Sequence, residues 1–96
     1  IAETERHVAA LTSQLVDGLD RIGARMVTPR EPTRRGPMIA VAANDAPAMV
    51  AALAEDRILT TSRDGNVRLS WHCYNSTADV DAVITGLDRH SELLDR

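Results

Sequence analysis

At 96 residues the chain has room for one small two-layer domain around a single core, not for a large multidomain assembly. A formal charge of −3 without a long single-sign block argues against nucleic acid or an anionic membrane as partner. There is no apolar run of spanning length and no recognisable signal peptide, and one cysteine cannot form an internal disulfide, so a reducing cytoplasm is the expected setting.

The chain opens on Ile1, inside what reads as a helix, as expected of a piece of a longer protein. Val8, Leu11, Leu15, Leu19 and Ile22 recur at steps of three and four and line one face of an amphipathic helix. Gly23 ends it, because glycine enters the left-handed cap without steric cost. Glu3, Glu5, Arg6, Asp17, Asp20 and Arg21 form the solvated face. His7 falls on the flank of the apolar stripe, and no second His or Cys stands beside it at a metal-ligand spacing.

Arg25-Met-Val-Thr28 reads as a short strand. The stretch from Pro29 to Pro37, with Arg30, Arg34, Arg35 and Gly36 among its prolines, reads as an extended loop whose arginines are either solvated or turned to an anion or a subunit. Met38-Ile-Ala-Val-Ala-Ala43 is continuously apolar, which suits a central strand covered on both faces. Asn44-Asp45 offers an N-cap to a second helix with Pro47 in its first turn and Ala46, Met49, Val50 and Leu53 as its buried stripe. Glu55-Asp56 opposes the helix dipole, so the helix stops there.

The stretch from Thr60 to Asn75 reads as a hairpin, because two β-rich runs flank Asp64-Gly65, a dipeptide that accepts the positive φ values of a primed turn. In the second run Val67, Leu69, Trp71 and Cys73 alternate with Arg68, Ser70 and His72, which is the period of a strand with one buried face. Arg68, Ser70 and His72 are thereby left on the polar face, with Arg63 brought near by the turn, and Cys73 becomes a small core residue. A guanidinium on such a strand either pairs with a nearby acid or offers its fork to a carboxylate or phosphate.

Ser76-Thr-Ala-Asp79 has the form of a capping box, and Val80, Val83, Ile84, Leu87 and Leu94 continue a helical stripe, so a last helix is expected to reach close to the C-terminus. Asp79, Asp81 and Asp88 then belong to its cap and solvent face. The order α-β-β-α-β-β-α defines an α+β domain, a small antiparallel or mixed sheet with helices packed on one face.

The run from Ser62 to Asp81 resembles the C-terminal segment of class V aminotransferase-fold enzymes. These are fold-type I pyridoxal 5′-phosphate (PLP) proteins that include cysteine desulfurases, isopenicillin N epimerase-like proteins and kynureninase relatives. The resemblance is carried by Arg63-Asp-Gly65, Arg68-Leu-Ser70, Tyr74-Asn75 and Asp79-Val-Asp81, and extends more weakly to the first helix and to Arg35-Gly-Pro-Met-Ile-Ala-Val41. It implies that residues 1–96 are one small C-terminal domain, with the PLP-binding large domain elsewhere in the same protein. It further implies that Arg68 grips the α-carboxylate of an amino-acid substrate, that Arg63 lies near the mouth of the site, and that Ser70 and His72 stand close by. A homodimer is expected, since enzymes of this fold build their sites across subunits.

All eleven basic residues are arginine. PLP is held through a lysine amine, so these 96 residues hold no catalytic group for it and are expected to be inactive alone. Cysteine desulfurases of this superfamily carry their persulfide cysteine on a loop between the turn and the later arginine, whereas here only Asn66 and Val67 separate Gly65 from Arg68. The resemblance therefore points to an epimerase, a C–S lyase or an aminotransferase. The alternative is a free-standing, non-enzymatic α+β module that binds a small anion or a partner subunit. An RNA-binding sheet is disfavoured, because Trp71 and Tyr74 are the only aromatic residues.

Overall fold

A computed structural model describes residues 2–28, 38–70, 74 and 76–95. Helix α1, Ala2–Arg21, follows the apolar stripe: Leu11, Leu15 and Leu19 are buried, and Val8 and Ile22 flank them. It closes with two bonds, Gly23 N–H to Asp20 O and Ala24 N–H to Leu19 O, while Gly23 adopts φ 75°. Those bonds satisfy carbonyls that the end of a helix otherwise strands.

Strand β1, Ile39–Ala42, leads through Asn44-Asp45 into α2, Ala46–Glu55, where the Asp45 carboxylate accepts from Ala48 N–H at 3.1 Å. Helix α2 ends at Asp56 as its acidic terminus predicts, and Arg57 takes the left-handed position at φ 65°. Strands β2, Thr61–Arg63, and β3, Asn66–Leu69, flank a two-residue turn with Asp64 at φ 55° and Gly65 at φ 80°. Two consecutive positive φ values define the primed turn expected of Asp-Gly. Helix α3, Thr77–Arg89, starts at Ser76, whose Oγ accepts from Asp79 N–H at 3.1 Å.

The sheet is antiparallel in the order β1-β3-β2, with Ile39 opposite Leu69 and Val41 opposite Val67. These four side chains are fully buried and share one core with Leu11, Leu15 and Leu19 of α1, Met49 and Leu53 of α2, and Val80, Val83 and Leu87 of α3. All three helices therefore pack on the same face of the sheet, which is the expected α+β arrangement.

Three local expectations change. Arg25–Thr28 runs beside the free edge of β1 but forms only the bridge Met26↔Val41, because the Thr28 hydroxyl, not a backbone carbonyl, takes the Ala40 N–H at 2.7 Å and ends the ladder. The Met38–Ala43 run is neither central nor evenly covered: β1 stands at the edge of the three-stranded sheet, and on its outer face Ala42 is buried while Ala40 is half-buried and Met38 exposed. The last helix stops at Arg89 and a 3₁₀ turn, Ser91–Leu93, redirects the chain so that Leu94 bridges Ala43 in extended conformation. Leu94 is buried as its apolar character requires, but from outside the helix.

Candidate functional site

Antiparallel register places directly opposed residues on the same face of a sheet. Arg68 stands opposite Ala40 on one side and Thr61 on the other, so these three form a row across the face turned away from the helices. The next row is Ala42, Asn66 and Arg63. Arg63 and Arg68 are thus diagonal neighbours on one face, as the hairpin reading requires.

Arg68 occupies the central strand, and both its lateral neighbours are short. A methyl and a threonine side chain are too short to cover a guanidinium, and Arg68 is half-buried. Its one polar contact among the described residues is from Nε–H to the Met38 sulfur at 3.0 Å. No carboxylate among the described residues pairs with it, in contrast to Arg25, held by Asp95 at 2.8 Å, and Arg89, which reaches both oxygens of Asp56 at 3.2 Å. Arg63 is strongly exposed and meets Asp64 only at 3.9 Å.

Ser70 follows β3 immediately, is half-buried and is engaged in a polar interaction. His72 lies outside the described residues, as do Trp71, Cys73 and Arg30, Arg34 and Arg35 of the predicted loop. Tyr74 is fully buried with its hydroxyl 3.5 Å from Thr12 Oγ1, which itself donates to Val8 O at 2.8 Å. That polar link between α1 and the segment after β3 is invisible to hydrophobic periodicity, which assigns Thr12 no role. Met38 too escapes a sequence reading that treats it only as an apolar strand residue; its register opposite the end of β3 is the signal that brings it to Arg68.

A family profile described as the kynureninase C-terminal domain matches residues 3–87. The chain belongs to that family. The match covers both the hairpin with Arg63 and Arg68 and the helices behind it, and it agrees with the class V aminotransferase-fold resemblance of the Ser62 to Asp81 run. Among solved structures, the apo form of a cysteine desulfurase from Thermococcus onnurineus NA1 superposes with a TM-score of 0.84 at 20% identity, over 95% of this chain and 26% of that one. At that identity the likeness speaks for the fold, and the chain spans about a quarter of the enzyme it resembles. A search of curated proteins found no significant match.

As a kynureninase-type C-terminal domain the chain offers a guanidinium but no lysine. These residues therefore do not fit PLP as the group that anchors it through a lysine amine. What the domain itself presents is a charged fork carried on the central strand of the sheet.

Proposed function

We propose that this domain forms the carboxylate-binding wall of a PLP-dependent class V aminotransferase-like enzyme acting on an amino acid, with Arg68 as the residue that holds the α-carboxylate. The observation that carries the proposal is the setting of Arg68: a central-strand guanidinium on the helix-free face, flanked by Ala40 and Thr61, with no acid among the described residues to neutralise it. Two parallel N–H···O bonds fix both position and rotation of a carboxylate, and holding a reactant in one orientation can remove several kcal/mol of a barrier. PLP, bound by a large domain of the same protein, supplies the electron sink for the reaction. Arg63, one diagonal step away and exposed, adds positive potential at the entrance.

Within the superfamily we favour an epimerase, C–S lyase or aminotransferase over a persulfide-forming desulfurase. The strands join through Asp64-Gly65 alone, and Asn66–Leu69 is continuous, so no cysteine-bearing loop interrupts the hairpin before Arg68. The working unit is proposed to be a homodimer of the full-length protein.

The test is steady-state kinetics of the full-length protein over a panel of L-amino acids. Arg68→Ala is expected to raise KM for the accepted substrate by about a hundredfold, the worth of two charge-assisted hydrogen bonds. Arg68→Lys, which keeps the charge but loses the fork, is expected to recover only part of it. An unchanged KM in Arg68→Ala removes the residue from this role.

A further inference from the structure

Resting on the carboxylate-binding role proposed above, we infer that Met38 is the positioning residue of Arg68, fixing which edge of the guanidinium faces the substrate. Met38 precedes β1 on the same face as Ala40, and with Ile39 opposite Leu69 the register sets it one diagonal step from Arg68. Its sulfur accepts the Arg68 Nε–H at 3.0 Å. A guanidinium has two bidentate edges, one made of Nε and an Nη, the other of both Nη atoms. With Nε turned to sulfur, the free edge is the Nη pair at the tip of the side chain. The substrate carboxylate is therefore met end-on.

The choice of a thioether matters. Sulfur is a weak acceptor and carries no charge, so it orients the plane of the guanidinium without neutralising it. A carboxylate in the same place would form an ion pair like that between Arg89 and Asp56, and would compete with the substrate for the same fork. Met38 is 36% exposed, so its side chain lies at the surface with the guanidinium instead of serving the core. A purely structural role in packing does not account for that position.

The experiment uses the full-length PLP-loaded protein and two probes, L-alanine and ethylamine, which differ by the carboxylate alone. Wild type is expected to bind L-alanine far more tightly than ethylamine. Met38→Leu keeps the volume and loses the acceptor; it is expected to weaken L-alanine binding about three- to tenfold, with ethylamine binding and Tm unchanged. Met38→Glu is expected to abolish the discrimination. In an Arg68→Ala background Met38→Leu should have no further effect, because its action passes through Arg68. Full discrimination retained by Met38→Leu overturns the positioning role and leaves the Arg68 proposal standing. If wild type and Arg68→Ala discriminate equally, the carboxylate-binding role falls, and the positioning role with it.

Discussion

Two arginines show how differently one residue type can be used. Arg68 was legible as a candidate because strict alternation from Val67 to Leu69 left it on the polar face, and the register confirms that placement. That no carboxylate among the described residues pairs with it was not legible, since alternation says nothing about which acids lie within reach. Arg57 carries no sequence signal at all, yet it sits at φ 65° with Arg57 N–H bonded to Ala54 O and Ile58 N–H to Leu53 O. This is the closing motif that Gly23 makes in α1, executed by a residue with a side chain to strain it. Arg57→Gly should therefore stabilise the domain by about 1 kcal/mol, measured as a raised midpoint in chemical denaturation. A lower midpoint would show that the arginine side chain contributes more than its backbone strain costs.

At the level of elements, the helix starts were easier to foresee than the helix ends. Ser76 and Asp45 announced themselves through short-range capping chemistry, and each side chain makes the expected bond. Ser76→Ala should cost about 1 kcal/mol through the lost cap on α3, seen as a lower Tm with the native fold retained. The end of α3 depends on the contact between Leu94 and Ala43, a long-range pairing that a run of apolar spacings cannot distinguish from one more helical turn. Helix packing was likewise hidden. A Cβ on Gly18 would lie 2.6 Å from Ile84 Cγ1, so α1 and α3 approach closely at that point. Gly18→Ala gains helix propensity of about 1 kcal/mol, but overpacking costs about 1–3 kcal/mol, so a net loss of stability is expected on thermal unfolding. A net gain would mean that Ile84 can turn aside.

Among the described residues the molecule has one core, between the three helices and one face of the sheet, with the row of Ala40, Arg68 and Thr61 on the face turned away from it. A radius of gyration of 12.3 Å is that of a compact chain of this length, about 12–13 Å by the usual scaling. Leu15, fully buried at the centre of α1, should cost about 3 kcal/mol when cut to alanine and lower Tm by about 10 °C or more. Among the described residues no helix is long and apolar enough to cross a membrane. Class and element order were readable because each element carries its own period. The bridge made by Met26 and the Met38 contact were not, since both follow from register between distant segments. The role of Arg68 is decided by the crystal structure of the full-length protein with an accepted L-amino acid bound. Both carboxylate oxygens are expected within about 3 Å of the Arg68 Nη atoms. A substrate carboxylate held by other residues, with Arg68 turned to solvent, would contradict it.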